Sequence, residues 1–267
     1  MNSSLEELTG KVISKINLHG GDINDVYLLQ CKNRSYVLKE NRHNLKELFA
    51  KEASGLGLLK KADIPIPEVY YFDEKYLLLE YLEPGKRDEV EAGCLLAKLH
   101  LNIVKKYGLE TDNYIGSLPQ ENKISSDWAS FFWSQRIHPL LNRLSIAYEN
   151  HHHWKLLSEK LPQLLYPGQP RLLHGDLWSG NLYYSNKGPI FIDPAVYYGS
   201  PAVELSFTRL FGGFGEKFYD AYREIIPFPD DFPEMTDLYN IYPLLVHAVI
   251  FGGGYYSQAE RNAKRFV

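Results

Sequence analysis

Three polar residues near the middle of the chain, Asp176, Asn181 and Asp193, follow one another at spacings of five and twelve residues. Apolar segments at 172–173 and 189–192 come directly before the first loop and the last Asp. Such short apolar runs, separated by Gly, Asn and Ser, are typical of strands joined by tight hairpin turns. The chain therefore predicts antiparallel hairpins that carry these polar side chains at strand ends.

The order Asp, Asn, Asp is that of a kinase-type phosphoryl-transfer site. In such a site the first Asp, here Asp176, accepts a proton from the substrate hydroxyl, while the Asn and the second Asp hold magnesium. Mg²⁺ prefers oxygen ligands shared with phosphates and water, and Asn181 and Asp193 offer two of them. Gly175 and Gly180 permit the tight backbone that this loop needs. Either half alone is more often ordinary turn chemistry, but the two together favour phosphoryl transfer.

Residues 1–82 predict a small strand-rich nucleotide-binding unit. Strands are expected at 11–18, 25–30 and 34–39, followed by an amphipathic helix at 45–61. This order of strands and helix is the one in which kinases hold a nucleotide.

Four residues of this unit are candidates for nucleotide binding. Gly20 and Gly21 lie between the first two strands, where backbone amides could turn toward a phosphate, although Gly-Gly is more often just a hairpin. Lys39 ends the third strand, and Glu52 lies near the apolar face of the helix, so the two fit the lysine–glutamate pair of kinases. A solvated lysine beside one helix acid among several, such as Glu47, is the alternative.

A Pro- and Gly-containing connector at 81–86 predicts the boundary with a second unit, 83–267. The backbones of Glu80 and Leu82 are candidates for contacts with an adenine edge, although an ordinary strand-to-helix loop is the alternative. Helical periodicity dominates the second unit. The helices are expected at 89–106, 127–144, 152–165, 201–211, 216–225 and 238–251. The predicted fold class is α+β, with a small antiparallel-sheet lobe containing one helix and a larger, mostly helical lobe.

Composition and charge exclude several function classes. The chain has 267 residues, a formal net charge of -4 and a pI near 6.1, so no basic character indicates nucleic acid or an anionic membrane as a partner. Cys31 and Cys94 show neither a metal-ligand spacing nor a disulfide framework. No apolar stretch approaches eighteen residues. We therefore expect a cytoplasmic protein that is a monomer or a weak dimer.

The chain resembles the fructosamine kinase (ketosamine kinase) family, an aminoglycoside-phosphotransferase-like branch of the protein-kinase fold. The resemblance is carried by the motif at 174–181, by the D-P-A-V-Y-Y-G run at 193–199 and by T-R-L-F-G-G-F at 208–214. It extends to G-G-D-I-N at 20–24 and to Y-P-L-L-V-H at 242–247. The D-P-A-V-Y-Y-G run is the most specific part.

The resemblance implies a bilobal kinase fold and ATP- and Mg²⁺-dependent phosphorylation of a sugar hydroxyl on glycated amines, which leads to deglycation. Its site residues carry over as a base, Asp176; magnesium ligands, Asn181 and Asp193; a phosphate-anchoring pair, Lys39 and Glu52; a phosphate loop, Gly20 and Gly21; and substrate-facing residues, Trp178 and His247. Core positions remain the alternative for the last two.

Two other functions stay open at this level. A kinase for another alcohol, such as an aminoglycoside, a choline-like compound or an amino alcohol, would share the motif, and a non-catalytic kinase-like binding protein would share the fold. Retention of the complete set of polar residues favours an enzyme. Some eukaryotic members carry a phosphate-loop cysteine that supports redox-controlled dimers. Because residues 20–24 contain none, no such switch is predicted.

Overall fold

The computed structural model describes residues 3–18, 24–166 and 168–267, with the backbone alone for residues 3 and 4. The chain divides into two compact units. The first comprises residues 1–87 together with 183–193, and the second comprises 88–182 and 194–267. The predicted division at residue 82 differs because the hairpin after the catalytic-loop motif packs with the N-terminal unit.

The first unit contains a five-stranded antiparallel sheet in the order β1-β2-β3-β5-β4. Its strands are β1 (Val12–Asn17), β2 (Asp25–Cys31), β3 (Ser35–Glu40), β4 (Val69–Phe72) and β5 (Tyr76–Glu80). Two helices accompany them, α1 (Ser3–Thr9) and α2 (Leu48–Lys61). The three predicted strands are confirmed, α2 begins three residues later than predicted, and α1 was not predicted.

Alternation along β3 decides which side chains enter the core of this unit. Tyr36 and Leu38 are buried in a cluster with Leu5 of α1. Because successive residues of a strand point to opposite faces, Lys39 lies on the other face of the sheet. That face receives Glu52 of α2.

The second unit is mostly helical. Its helices are α3 (Glu89–His100), α4 (Trp128–Phe132), α5 (His138–Arg143), α6 (His152–Leu164), α7 (Pro201–Leu210), α8 (Glu216–Ile225), α9 (Phe232–Tyr239), α10 (Ile241–Phe251) and α11 (Tyr255–Arg265). A π-helical turn, Trp133–Ile137, joins α4 to α5. The sheet and the helical portion together confirm the predicted α+β class.

Three short two-stranded sheets complete the fold. They pair β6 (Asn113–Ile115) with β7 (Leu118–Gln120), β8 (Arg171–Leu173) with β11 (Tyr197–Gly199), and β9 (Leu182–Ser185) with β10 (Gly188–Phe191). The predicted hairpin at 185–188 is confirmed between β9 and β10. Within the described part of the chain, no helix combines the length and the apolar character needed to cross a membrane.

Several predicted helix boundaries were wrong. The helix predicted at 89–106 ends at His100, and Gly108 is not its stop. Instead Gly108 has φ of 101° and exchanges two backbone hydrogen bonds with Tyr198, of 2.9 and 3.0 Å. The helix predicted at 238–251 is the second of two, because the chain turns at Asn240 between α9 and α10.

Candidate active site

In the first unit, Lys39 forms two ion pairs with carboxylates. Its Nζ lies 2.6 Å from Oε1 of Glu52 and also donates to Oδ1 of Asp193. The side chains of Lys39 and Glu52 are 7% and 11% exposed. Burial alone would lower the pKa of Lys39, but the carboxylates of Asp193 and Glu52 outweigh it and raise that pKa. Lys39 is therefore a cation held between two acids.

The choice of Glu52 over Glu47 agrees with this geometry. Glu47 precedes α2, its side chain is 68% exposed, and it lies 4.0 Å from Lys51. Glu52 lies one helical turn before the buried Leu56 and so faces the sheet. The spacing of apolar residues in the helix was thus a sufficient guide to the partner of Lys39.

Two other predicted nucleotide contacts involve the edge of the sheet. The amide of Glu80 donates to the carbonyl of Glu68 at 2.8 Å, and the Glu80 carboxylate lies 2.9 Å from Nζ of Lys187. The carbonyl of Leu82 accepts a hydrogen bond of 2.9 Å from the Tyr183 hydroxyl. Since the Glu80 amide is already bonded, only its carbonyl could serve a ligand. Gly20 and Gly21 lie outside the described residues.

In the second unit, the loop after β8 turns sharply at Gly175, whose φ is 84°. A Cβ on this residue would lie 2.1 Å from the carbonyl oxygen of Ala195. The close approach is maintained by a hydrogen bond of 2.9 Å from the Ala195 amide to the carbonyl of His174. Only glycine satisfies both the positive φ and the contact, as the sequence predicted.

A buried glutamate of α7 anchors the same loop. Oε2 of Glu204 accepts the amide of His174 at 3.0 Å, and Oε1 accepts the amide of Gly175 at 2.6 Å. Oε2 also lies 2.9 Å from Nε2 of His100, whose Nδ1 lies 2.8 Å from the Tyr222 hydroxyl. His100 is thus structural, as predicted. Glu204, only 2% exposed, was missed, because one acid on an apolar helix gives no sequence signal of its partners.

The surroundings of Glu204 determine its charge. Burial alone would raise the pKa of its carboxyl. The hydrogen bond and positive charge of His100, assisted by His174 and by the Gly175 amide, outweigh burial and hold that pKa below its usual range. An ionised Glu204 is the form that accepts the two loop amides.

Asp176 and Asn181 lie together in the second unit. Nδ2 of Asn181 donates to the Asp176 carbonyl at 2.8 Å and to its Oδ2 at 3.0 Å. Asn181 is 5% exposed, so its orientation is fixed by burial as well as by these bonds. With the nitrogen used in this way, Oδ1 is the polar atom with which Asn181 could bind a ligand.

Trp178 lies on the outer side of this loop. A Cβ on Gly180 would lie 2.3 Å from its ring, so the glycine allows the indole to fold over the backbone. The side chain is 40% exposed, which excludes a core tryptophan beneath the loop. Its role toward a substrate stays a prediction.

Asp176 lines a pocket of about 360 Å³ that includes space open to solvent. Its walls are largely apolar and aromatic, with contributions from Tyr197, Phe207 and Tyr242. His247 lines the pocket too, and its Nδ1 lies 2.8 Å from the Pro243 carbonyl. Burial lowers the pKa of His247 despite that hydrogen bond, so the imidazole is neutral near pH 7 with Nε2 as an acceptor.

A buried polar network lies behind two of these walls. The Tyr242 hydroxyl donates to Oε1 of Gln120 at 2.6 Å, and the Arg136 guanidinium lies 4.0 Å from the Tyr197 ring centroid. Gln120 donates to the Ala195 carbonyl at 3.1 Å, and Asn113 donates to the Val196 carbonyl at 2.8 Å. The D-P-A-V-Y-Y-G run is therefore constrained from both its backbone and its side chains.

Comparison with known proteins identifies the family. The fructosamine kinase family model matches residues 2–267. An Enterococcus faecium protein named as a probable ketoamine kinase is 36% identical, over 97% of this chain and 96% of that protein. The structure of a candidate fructosamine-3-kinase from Thermobifida fusca is 29% identical, with a TM-score of 0.86 and 98% coverage of both chains.

A more distant structure shares the fold alone. An ADP-bound aminoglycoside phosphotransferase is 18% identical, with a TM-score of 0.63 over 99% of this chain and 97% of its own. Its likeness supports the kinase-like architecture and carries no information on the substrate. Since a family model covers nearly the whole chain and a relative exceeds 30% identity over almost all of it, this chain belongs to the fructosamine kinase family and is a phosphotransferase enzyme.

Proposed function

We propose that this protein uses ATP to phosphorylate a sugar hydroxyl of ketosamines, and thereby acts in the deglycation of amines. The observation that carries the proposal is Asp176, an acid anchored by Asn181 at the wall of a pocket of about 360 Å³. Family membership supplies the reaction class, and the pocket supplies a place for the acceptor.

In the proposed mechanism Asp176 is the general base. One carboxylate oxygen, Oδ2, accepts the Asn181 amide, which fixes the plane of the carboxylate. A sugar hydroxyl that enters the pocket would then transfer its proton to Asp176 as its oxygen attacks phosphorus. Aromatic walls exclude water and hold the sugar in place, which lowers the entropic cost of the encounter.

The residues present fit a divalent cation and a nucleotide. Oδ1 of Asn181 and the 42% exposed carboxylate of Asp193 are hard oxygen donors, as Mg²⁺ requires. When bound, Mg²⁺ neutralises the charge on the transferred phosphate. Lys39, held by Glu52, would bind nucleotide phosphates, and we propose that Gly20 and Gly21 cover them, while Glu80 and Leu82 border the adenine.

The pocket argues against an aminoglycoside as acceptor. Of its described lining residues, only Asp176 and Glu204 carry carboxylates, and both oxygens of Glu204 are engaged by the loop amides and His100. A polycationic antibiotic would require several unengaged acids. A single ammonium group beside aromatic rings, as in a ketosamine, suits this pocket better.

The direct test is a panel of fructosamines, ribulosamines and psicosamines incubated with Mg²⁺-ATP, with ATP consumption and product mass as readouts. We expect one phosphate to be added to at least one ketosamine. If the protein leaves all of them untouched and phosphorylates an aminoglycoside or an amino alcohol, the proposed substrate class is wrong.

The magnesium assignment has its own test. Asp193→Ala should abolish activity at low millimolar Mg²⁺, because one of two proposed ligands is lost. Asp73→Ala, which removes a turn carboxylate of the same unit, is the control. Activity retained by Asp193→Ala at the same Mg²⁺ concentration would contradict the assignment.

We further propose a cytoplasmic location and a monomer or weak dimer. Cys31 and Cys94 are free thiols, in keeping with a reducing compartment. The formal charge of -4 supports the expectation that neither nucleic acid nor an anionic membrane is a partner.

A further inference from the structure

Four aromatic side chains of the second unit surround His247. The ring centroid of His247 lies 4.7 Å from that of Phe211, 5.2 Å from Tyr255, 5.5 Å from Phe251 and 6.2 Å from Phe207. These residues come from the end of α7, from α10 and from the start of α11. We refer to these five residues as the aromatic cluster.

The aromatic cluster runs from the pocket to the surface. Phe207 and His247 line the pocket that also contains Asp176. Phe211 and Phe251, by contrast, are 42% and 49% exposed. Exposed aromatic side chains that touch one another and continue into a pocket are costly to leave in water and indicate a binding surface. Any substituent that leaves the pocket on this side must pass over these rings.

The electrostatics of the aromatic cluster favour a cationic occupant. The faces of Phe and Tyr rings carry partial negative charge and attract ammonium groups, most strongly where water is partly excluded. His247 does not oppose this attraction, because burial lowers the pKa of its imidazole and keeps it uncharged. Arg209, the cation nearest in sequence to Phe211, lies over the Tyr219 ring at 4.0 Å from its centroid.

We propose that the aromatic cluster binds the alkylammonium portion of a glycated amine while its sugar lies beside Asp176. This proposal rests on the proposed function, because a ketosamine joins its sugar to a secondary amine that is protonated near neutral pH. The nitrogen and first methylenes of the amine lie over the rings of Phe211 and Phe251. The aromatic cluster thereby selects alkyl amines and rejects amines whose substituent carries a carboxylate close to the nitrogen.

The test uses two matched ligands, fructosyl-butylamine and the butyl ether of fructose, which differ in the cationic nitrogen. Phe211→Leu and Phe251→Leu keep apolar bulk and remove the ring. Each should raise Kd and KM for the amine by about threefold to tenfold, the range of an exposed to half-buried cation–π contact. Values for the ether and kcat for the amine should stay within about twofold of wild type. Ile225→Ala, which alters a 43% exposed side chain of α8, is the control.

Calorimetric binding, measured beside the kinetics, separates the outcomes. If the wild type phosphorylates the amine and the Leu variants bind both ligands as it does, the aromatic cluster proposal is wrong and the proposed function stands. Equal losses for amine and ether would show apolar contact only, which also overturns the proposal. If the wild type binds the amine through Phe211 and Phe251 without phosphorylating any ketosamine, the proposed function fails and the aromatic cluster proposal stands. Absence of wild-type binding to either ligand overturns both.

Discussion

The ion-pair cluster of the first unit and the catalytic-loop motif of the second are held in place by different forces. Lys39 is fixed by two side-chain carboxylates, Glu52 and Asp193. The loop that carries Asp176 is fixed through its own backbone, by Glu204 of α7 and by a glycine that allows close packing. Charges in the first region hold a charge, whereas in the second a buried acid holds the main chain.

The two arrangements also differ in how legible they are in the sequence. A lysine at a strand end and a glutamate on the apolar edge of the next helix are separated by thirteen residues. Glu204 acts across about thirty residues, and nothing in its local sequence names the amides that it accepts. Because the forces differ, the two regions should respond differently to substitution.

The largest effect is expected at the base. Asp176→Asn should lower kcat for a ketosamine by about 10²- to 10⁴-fold, the usual contribution of a positioned general base. The unfolding temperature should change little, because the amide keeps the shape of the side chain. Asp230→Asn, at an exposed position of the same unit, is the control. Near-normal kcat in Asp176→Asn would remove Asp176 from the chemistry.

Lys39→Met should give the largest loss of stability. It leaves the carboxylate of Glu52, which is 11% exposed, without its cation, and breaking such a buried pair costs about 3–5 kcal/mol. The double variant with Glu52→Gln should recover most of the free energy of unfolding measured by urea titration. Lys60→Met breaks an exposed pair with Glu68 and should cost no more than about 1 kcal/mol. Equal losses at Lys39 and Lys60 would contradict the buried ion-pair description.

Glu204→Gln should cost less stability than Lys39→Met but should affect the loop directly. The Gln side chain offers one acceptor in place of two, so one loop amide is left without a partner, at a cost of about 1–3 kcal/mol. We also expect a lower kcat, because the loop is released, with KM for ATP unchanged. Glu224→Gln, at an exposed position, is the control. Unchanged stability and kcat would show that Glu204 does not anchor the loop.

Acid should remove the difference between wild type and Glu204→Gln. Because the pKa of Glu204 is lowered in the folded state, its contribution is present above the unfolded value of about 4.3 and is lost as pH falls through the folded value. Urea unfolding from pH 7 to pH 3 should therefore show a gap that narrows only below about pH 4. A gap that is constant with pH would contradict an ionised anchor.

The smallest effect is expected at Trp178. Trp178→Leu removes a half-exposed ring beside Asp176 and should raise KM for a ketosamine by no more than about tenfold, as for the loss of one stacking contact. Stability should remain close to wild type, because the side chain is 40% exposed. Leu101→Ala, at a 55% exposed position, is the control for loss of surface area. A large loss of stability would show that the indole supports the loop instead.

Much of the fold was predictable because period-two and helical patterns are local. The strands β1 to β3 and the helices α2, α7 and α8 were expected within a few residues of their bounds. The failures occur where tertiary contacts override local preference. Gly108 pairs with Tyr198 instead of ending a helix, and α11 buries only small residues such as Ala259 and Ala263, which leaves little apolar pattern to detect.

By itself the sequence determined the class of chemistry, since the order and spacing of Lys39, Glu52, Asp176, Asn181 and Asp193 follow one chain through strands, helix and hairpins. It also determined the family, through the D-P-A-V-Y-Y-G run. Tertiary structure alone decided that Glu204 holds the loop and that rings from three helical segments meet around His247. The reason is physical: motif chemistry depends on neighbours along the chain, whereas burial and ring contacts depend on residues brought together only by folding.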